Sequence, residues 1–393
     1  MAAKFLLPAL ALVGSAIAQC DGPSITITTS EDASQISSCQ TYDGDVIIAS
    51  EASGQISLDG VGRISGDLTC KNASQLTAIS ASQLTQIGGV FDLEELQILS
   101  SLQMGSLVGV NQINWIALPA LQSLNFAQGV STANTVRISN TGLTDLRGIE
   151  LQLVKAMDIN NNNYLRTINV NALTNVTDSL SFSANGMNLE IEFPNLENAA
   201  NLTFRNVSSI SMPSLSEVPG SMGFYSNQFE SFAAPNLTEV GNTIAFVDSP
   251  NLSNLTFPSL TTIGGGLLLA NNSELSAVAF DKVEMINGDI NFYGSFDTVS
   301  FDSLTDVKGA SSIYTSSTNT TICDLFESAK SNQVIKGKLT CETSSDNTAG
   351  NGSTTGSSSG SSRSSSAAVA NLNYDPTAPL TGFAALVAAV LFI

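Results

Sequence analysis

Histidine is absent from this chain of 393 residues, and basic residues are scarce. Without histidine, Ser-His-Asp catalysis, Cys-His catalysis and imidazole-bound metals are excluded. The 14 Lys and Arg face 34 Asp and Glu, and the net charge of −20 argues against nucleic-acid binding. The glycine run at 264–266 lacks the Lys and Ser/Thr of a phosphate-binding loop. The sequence therefore predicts no cofactor, no metal site and no nucleic-acid partner.

Apolar runs long enough to span a bilayer as a helix are also missing. Lys4, the apolar run 5–13 and the small-residue site 16–18 predict a secretory signal peptide over residues 1–18. The apolar run 380–393 follows a polar spacer and predicts a glycosylphosphatidylinositol (GPI) anchor signal over 369–393, with Ser366 or Asn371 as the attachment residue. Residues 343–368 are mostly small and polar, which predicts a flexible stalk. The ectodomain is then 19–342.

What the chain does have is a repeat. Apolar pairs at positions i and i+2 recur at steps of 20 to 23 residues. A spacing of two places both residues on one face of a β-strand, and the longer step stacks such strands in parallel. Asp92 and Thr315 break the pattern, and Phe91 and Leu93 indicate a shift of register beside Asp92. The inward pairs are Ile25/Ile27, Val46/Ile48, Leu68/Cys70, Val90/Asp92, Ile113/Trp115, Val136/Ile138, Met157/Ile159, Leu180/Phe182, Leu202/Phe204, Met222/Phe224, Ile244/Phe246, Leu267/Leu269, Ile290/Phe292 and Ile313/Thr315.

The rest of each coil repeats the frame Pro-x-Leu-x-x-Val/Ile-x-Gly, without the helix-forming stretch of a leucine-rich repeat. We therefore predict an all-β fold, a right-handed parallel β-helix of about 22 residues per coil over residues 25–315. The glycines predicted to supply a positive φ at a corner are Gly241, Gly264, Gly288 and Gly309. The phenylalanines predicted to stack on successive coils are Phe182, Phe204, Phe224 and Phe246.

The five cysteines belong to an oxidising compartment if the chain is secreted. Cys20 and Cys39 flank the first strand, and Cys323 and Cys341 flank the segment after the last coil. Because the end coils of a solenoid expose apolar faces and strand edges, we predict one disulfide at each end, Cys20–Cys39 and Cys323–Cys341. Cys70 is predicted to be a buried thiol, with a Cys39–Cys70 bridge as the alternative.

Ten Asn-x-Ser/Thr sequons agree with secretion. Asn201 precedes the inward Leu202, so its side chain is predicted to point outward. The predicted N-glycosylation residues are Asn72, Asn175, Asn201, Asn206, Asn236, Asn251, Asn254, Asn271, Asn319 and Asn351.

A surface for binding is predicted on the outward side of the long strands. Tyrosines beside Asn and Arg on a flat parallel sheet suit contacts with sugars or proteins. An ordinary solvated sheet face is the alternative. The residues of this surface include Lys71, Phe91, Asn114, Asn160 and Asn291, and those assigned to binding are Arg137, Asp158, Arg205, Tyr225 and Tyr293.

Two carboxylates provide the enzymatic alternative. Glu217 and Glu239 occupy equivalent positions of adjacent coils, and stacking would place them about 5 Å apart, near the separation in retaining glycosidases. They lie at a corner without an aromatic cluster or long insertion that would form a cleft. A protein without catalytic activity is therefore the main prediction, and a carboxylate-dependent polysaccharide hydrolase or transglycosylase is the alternative.

Taken together, these features resemble one family. The signal peptide, the early cysteine pair, the segments at 43–46 (DGDV) and 64–68 (ISGDL), the Pro-x-Leu frame, the stalk and the anchor signal are similar to those of the fungal GPI-anchored cell-wall organisation proteins of the extracellular-mutant and sporulation-specific group. The resemblance implies an ectodomain like receptor L-domains, a GPI lipid in the outer leaflet of the plasma membrane, and partial attachment to the wall. It implies wall polysaccharides or wall proteins as partners and a role in wall integrity and morphogenesis. It assigns no functional residues.

Overall fold

The computed structural model describes residues 20–345, apart from the side chain of Asn169. The predicted signal peptide, the anchor signal with Ser366 and Asn371, most of the stalk and the sequon at Asn351 lie outside the described residues. Within 20–345, no helix has both the length and the apolar character needed to cross a membrane.

The described residues form 32 strands and two short helices. In the first half these are β1 (Asp21–Ile27), α1 (Ser30–Ser34), β2 (Asp43–Ile48), β3 (Ser53–Ser57), β4 (Arg63–Ile64), β5 (Leu68–Lys71), β6 (Gln75–Ser80), β7 (Gln86–Glu94), β8 (Ser101–Gln103), β9 (Gly109–Leu118), β10 (Thr135–Thr141), β11 (Leu153–Asn160), β12 (Thr167–Asn169), β13 (Asn175–Ser183), β14 (Glu190–Glu192) and β15 (Asn198–Ala199). In the second half they are β16 (Leu202–Arg205), β17 (Ser209–Ser211), β18 (Glu217–Val218), β19 (Met222–Tyr225), β20 (Ser231–Ala233), β21 (Glu239–Val240), β22 (Ile244–Val247), β23 (Asn254–Thr256), β24 (Thr262–Ile263), β25 (Leu267–Ala270), β26 (Ala277–Ala279), β27 (Met285–Ile286), β28 (Ile290–Gly294), β29 (Thr298–Ser300), β30 (Asp306–Val307), β31 (Ser311–Thr315), α2 (Thr321–Ser331) and β32 (Leu339–Glu342).

The strands stack coil upon coil in parallel, which confirms a β-solenoid of about 22 residues per coil and about 13 turns. The long strands pair in chain order from β1 and β2 through β5, β7, β9 and onward to β31 and β32, and form one long sheet. Two-residue strands such as β18 and β21 pair alongside them. A third side of each coil carries short sheets, among them β3-β6-β8 and β12-β14-β17.

The core fills the inside of the coils with the predicted pairs. Phe182, Phe204, Phe224 and Phe246 are fully buried and stack on successive coils, as predicted. Their ring centroids are 5.8, 5.5 and 4.4 Å apart in order, with interplanar angles of 3°, 14° and 9°. Each ring therefore fills the space between two coils, where a smaller side chain would leave a cavity.

The predicted inward pair Val90/Asp92 is wrong by one residue. Phe91 lies beside Leu68 and Leu93 beside Cys70, and all four side chains are buried. The register shifts between Ile87 and Val90, where β7 bulges, which confirms the shift that Phe91 and Leu93 indicated. Burying the Asp92 carboxylate without a partner would cost roughly several kcal/mol. The bulge avoids this cost, because it places the side chains of Phe91 and Leu93 inside and turns the carboxylate outward. The outward assignment of Phe91 is therefore also wrong.

The coils turn at two kinds of corner, and the predicted role of the frame glycines is wrong. None of Gly241, Gly264, Gly288 and Gly309 is among the positive-φ residues of the described chain. Glycine is needed at these positions because the backbone of the preceding coil leaves no room for a side chain. A Cβ at Gly288 would lie 2.6 Å from the carbonyl carbon of Gly265. Ten residues other than glycine, with a positive φ from 51° to 59°, lie at the ends of the long strands or directly after them: Asn72, Glu95, Ala117, Asn140, Asn161, Ala184, Asn206, Ser226, Asp248 and Asn271.

A column of buried polar residues follows six of these left-handed corners, and we term it the amide ladder: Thr141, Asn162, Asn185, Asn227, Ser249 and Asn272. The backbone N–H of Asn162 donates to Oδ1 of Asn185 at 3.1 Å, and Nδ2 of Asn185 donates to the carbonyl of Ile159 at 2.8 Å. The same arrangement recurs where Nδ2 of Asn272 donates to the carbonyl of Phe246 at 2.9 Å. The ladder thus satisfies backbone groups that the turning chain leaves inside the protein.

Helices and disulfides lie at the two ends of the solenoid. Cys20 and Cys39 form one disulfide beside α1, and Cys323 and Cys341 join α2 to β32. In α1, the Thr29 and Asp32 side chains form a capping box. In α2, Phe326 packs edge-on against Phe292 and Phe301 at 6.3 and 6.2 Å. Cys70 is a buried free thiol, and burial raises its pKa to about 12.

Candidate binding face

Outward side chains of the long sheet stand in two columns that cross the strands, and together they form a surface that we term the long-strand face. One column lies between the two residues of each inward pair and includes Asp92, Asn114, Arg137 and Asp158. The other follows the pair and includes Arg205 and Tyr225. Because neighbouring strands are about 4.8 Å apart, each column presents its side chains at that interval.

An ion-pair network covers the face at β5, β7 and β9. Lys71 Nζ lies 2.8 Å from Asp92 Oδ2 and 3.1 Å from Glu94 Oε1. Nδ2 of Asn114 donates to Asp92 at 2.7 Å and to Glu94 at 3.1 Å. The hydrogen bond to Asp92, with a further one to Glu94, raises the pKa of Lys71. The charges of this part of the face are thus satisfied within the protein.

The predicted binding residues Arg137 and Asp158 come together on the next two strands, where they are register partners in β10 and β11. Asp158 is half-buried and accepts a hydrogen bond from Nδ2 of Asn160 at 2.9 Å. Arg137 is exposed, and within residues 20–345 its guanidinium makes no hydrogen bond and no ion pair. It is therefore available to an outside group.

Two shallow depressions lie next to each other at this place: the first crosses β7, β9, β10 and β11, and the second crosses β7, the start of β9, the segment 131–134 before β10 and the start of β11. One, of about 350 Å³, is lined by Val90, Gln112, Ile113, Asn114, Thr135, Val136, Arg137, Ala156 and Asp158. The other, of about 420 Å³, is lined by Gln86, Ile87, Gly88, Val110, Asn111, Ser131, Thr132, Ala133, Asn134, Gln152 and Leu153.

The depressions lie where the short strand and the long strand of a coil join into one continuous strand, as in β7. β7 pairs with β4 through Gln86 and Ile87, and with β5 from Phe91 onward. The register shifts within β7, between Ile87 and Val90, and again where β11 pairs with β13, in which the extra residue lies. Such bulges bend a strand and increase its twist. Sequence reasoning named Asn114 but missed the other amides here, because the pattern of inward pairs does not reveal the surface relief that two bulges produce.

Arg205 and Tyr225 form a second patch on the face. The Arg205 guanidinium carbon lies 4.2 Å from the centre of the Tyr225 ring, in a cation–π contact. The Tyr225 ring lies across Gly223, where a Cβ would be 2.5 Å from a ring carbon. Burial raises the pKa of Tyr225. The pair is a flat, partly covered platform rather than a pair of free side chains.

Tyr293 stacks on Tyr314, which sequence reasoning missed. The two ring centroids are 5.3 Å apart at an interplanar angle of 9°, and Tyr314 remains 37% exposed. Burial, followed by the neighbouring Tyr314, raises the pKa of Tyr293. Tyr314 sits one coil beyond Tyr293 in the same register, so the strand pairing would have identified it. The five predicted residues thus belong to three separate patches.

The carboxylates of the enzymatic alternative are register partners in β18 and β21. Both Glu217 and Glu239 are exposed, and their neighbours in the column are Asn198 on one side and Thr262 on the other. Neither of the two depressions described above includes them. Water therefore solvates both groups, and nothing around them separates the role of an acid from that of a nucleophile.

None of the nine described sequon asparagines is buried. Asn72, Asn201, Asn236, Asn251, Asn254 and Asn271 are exposed, and Asn175, Asn206 and Asn319 are half-buried. Asn72, Asn206 and Asn271 occupy left-handed corners, where the side chain projects from the turn. The geometry therefore leaves all nine accessible to an attached sugar.

A parallel β-solenoid with cross-linked ends, accessible sequons and a polar long-strand face defines a class of proteins that present an extended surface. Within that class, the chain belongs to the Ecm33 family. A family model described as "Ecm33: GPI-anchored cell wall organization protein" matches residues 1–37. Protein ecm33 of Aspergillus fumigatus is 40% identical over 347 residues, which cover 88% of this chain and 86% of that protein.

Two further relatives extend the comparison. A cell surface GPI-anchored protein of Arthroderma benhamiae is 40% identical over 339 residues, covering 86% of this chain and 87% of the relative. Cell wall protein ecm33 of Schizosaccharomyces pombe is 32% identical over 333 residues, covering 84% and 78%. No solved structure matches the chain. The similarity thus covers most of the solenoid.

Proposed function

We propose that this chain is a GPI-anchored cell-surface glycoprotein that organises the fungal cell wall without catalysing a reaction. It resides in the outer leaflet of the plasma membrane and in the wall, and contributes to wall integrity and morphogenesis. The observation that carries the proposal is the identity of 40% over 88% of the chain with a member of a GPI-anchored cell-wall family. The long-strand face is the surface through which it binds a wall glycan or wall protein.

Maturation follows from the two ends of the chain. Residues 1–18 are removed on secretion, and residues after Ser366 or Asn371 are exchanged for a GPI lipid. The stalk 343–368 then joins the solenoid to the lipid. The accessible sequons carry N-linked glycans, which with the net charge of −20 keep the surface hydrated.

Truncation tests the anchor. A chain that ends before Leu380 is expected to accumulate in the medium, whereas the full chain stays with the cell and is released in part by phosphatidylinositol-specific phospholipase. Substitution of Gly356 by alanine within the stalk is the control and leaves localisation unchanged. Equal cell association of the full and truncated chains would overturn the proposed anchoring.

A polysaccharide hydrolase or transglycosylase is the second candidate, favoured by the register pairing of Glu217 with Glu239. Purified protein is incubated with wall glucan, and product chain lengths are measured. We expect no change in chain length and no difference on Glu217→Gln or Glu239→Gln. Glucan cleavage that either substitution abolished would establish the enzymatic alternative instead.

A further inference from the structure

Sequons are unevenly distributed along the solenoid, and the gap coincides with the depressions. Asn72 and Asn175 are consecutive sequons, whereas eight acceptor asparagines lie from Asn175 to Asn319. Every lining residue of both depressions falls between positions 86 and 158, inside this gap. Asn175 is the register partner of Leu153, so its glycan borders the gap on the next strand. A glycan coat would therefore cover the later coils and leave this part of the long-strand face bare.

The lining has the chemistry of a site for neutral hydroxyl-rich ligands. A primary amide supplies two N–H donors and an oxygen with two acceptor lone pairs, and a hydroxyl both donates and accepts. The amide and hydroxyl residues of the two depressions are Gln86, Asn111, Gln112, Asn114, Ser131, Thr132, Asn134, Thr135 and Gln152. Leu153, which is 51% exposed, adds an apolar contact at the edge.

Local charge argues for a neutral ligand over an anionic one. Arg137 and Asp158 are the charged residues of the lining, they have opposite signs, and they are register partners. The chain as a whole carries a net charge of −20, which repels polyanions at long range. A polycation would meet Arg137 in the middle of the surface. A neutral chain meets none of these penalties.

We propose that the two depressions form one binding groove, the amide groove, which holds a neutral polysaccharide chain across β7, β9, β10 and β11. The four strands span about 14 Å, enough for a short run of sugar rings. The exposed amides of Gln112 and Gln152, which make no side-chain hydrogen bond within residues 20–345, bond the ring hydroxyls. Leu153 contacts an apolar sugar face, and Arg137 donates to ring oxygens. This inference rests on the proposed function and names the ligand class of its binding face.

The groove is tested by placing an N-linked glycan inside it, in the full-length protein solubilised in detergent; we term a variant with an added sequon a wedge variant. Arg137→Asn turns the triplet at 137–139 into a sequon, because Ser139 is already in place. Gln75→Asn does the same at 75–77, where Gln75 is an exposed residue of β6 in a different sheet, and is the matched control. Arg137→Gln removes the charge without adding a sugar. Occupancy of each new sequon is read from the mass before and after enzymatic deglycosylation.

Binding is measured to laminarin, a soluble neutral β-glucan, to a neutral mannan and to polygalacturonate, a polyanion. We expect the wild type to bind at least one of the two neutral polymers and not the polyanion. Glycosylated Arg137→Asn should lose roughly tenfold in affinity, equivalent to about 1.4 kcal/mol, and Gln75→Asn should keep wild-type affinity. Expression without N-glycosylation should return Arg137→Asn to the affinity of Arg137→Gln.

A double substitution that needs no glycan gives an independent readout. Gln112→Ala with Gln152→Ala removes two exposed amides that have no partner within residues 20–345, and it is expected to weaken binding roughly tenfold, with an unchanged melting temperature. Equal loss in both wedge variants, undiminished binding by the double variant, or preference for polygalacturonate would overturn the amide groove. So would absence of binding to either neutral polymer. None of these results affects the truncation test, so failure of the groove and failure of the proposed anchoring remain distinguishable.

Discussion

Replacing Asn185 with alanine is expected to destabilise the solenoid far more than its size implies. Its amide accepts from the backbone N–H of Asn162 at 3.1 Å and donates to the carbonyl of Ile159 at 2.8 Å. Asn185 is buried, so water cannot replace these bonds in the folded state. Each buried group left without its partner costs about 1–3 kcal/mol. Loss of two partners therefore predicts a decrease of about 2–6 kcal/mol in the free energy of unfolding.

A matched control removes an exposed amide from the same coil. Asn195 donates from Nδ2 to the carbonyl of Asn171 at 2.8 Å, and it is exposed. Asn195→Ala is expected to cost less than about 1 kcal/mol, because water takes over both partners. Both variants are compared by urea denaturation, followed by circular dichroism. A loss in Asn185→Ala no larger than that in Asn195→Ala would refute the view that the ladder satisfies buried backbone groups.

Three further predictions concern the core, the thiol and the ends. Phe224→Ala should cost about 3–5 kcal/mol and Phe224→Leu clearly less, as measured by urea denaturation. Equal costs would contradict the tight stack. Because burial raises the pKa of Cys70 from 9.0 to about 12, the unfolded chain loses this proton first, so the thiol's contribution to stability should fall as the pH rises above about 9. A maleimide should label the native protein at pH 8 only after denaturant is added, and prompt native labelling would refute the buried assignment. Removing the Cys20–Cys39 disulfide by double serine substitution should cost about 3 kcal/mol, and hydrogen exchange should accelerate in the first coils before the middle ones. Uniform acceleration would contradict an end-closing role.

The regular interior could be predicted from the sequence because it depends on a single periodic signal. Apolar residues at i and i+2, repeated every coil, have one way to be buried together, and the phenylalanine stack follows from their equal positions. The pattern failed at Val90 and Asp92, where an extra residue in β7 shifts the register. Phe91 and Leu93 carried the signal for that shift, since both are more apolar than the residues assigned inward.

The corners could not be predicted in the same way, because residue type under-determines backbone conformation. Glycine satisfies both a positive φ and a close approach between coils, and only the structure shows that Gly288 serves the second need. The positive φ is held by Asn, Asp, Ser, Ala and Glu instead. Where the amide ladder is present, it bonds the turning backbone from inside and so holds a corner that a residue with a Cβ rarely adopts.

The sequence predicts which sheet face carries the candidate site, but it does not predict the depressions and patches on that face. Outward positions follow from the strand pattern, so Arg137, Asp158, Arg205, Tyr225 and Tyr293 all lie on the long sheet. Their division into separate patches depends on which coil each occupies and on what its neighbours leave uncovered. The depressions and raised patches of the surface come from bulges and from small residues such as Gly223. Neither recurs with the period of the coils, so the repeat pattern does not predict them.

Because equivalent residues pair from coil to coil, the length of the solenoid can change only by whole coils. Met222 lies beside Ile244 and Phe224 beside Phe246, so excision of one whole coil would rejoin like with like and leave both inward columns continuous. Reach can therefore be adjusted in steps of one strand spacing, about 4.8 Å. A single inserted residue would shift the register of its strand, and the chain accommodates it as a bulge. Gene duplication in units of a coil is the inexpensive route to a longer or shorter protein.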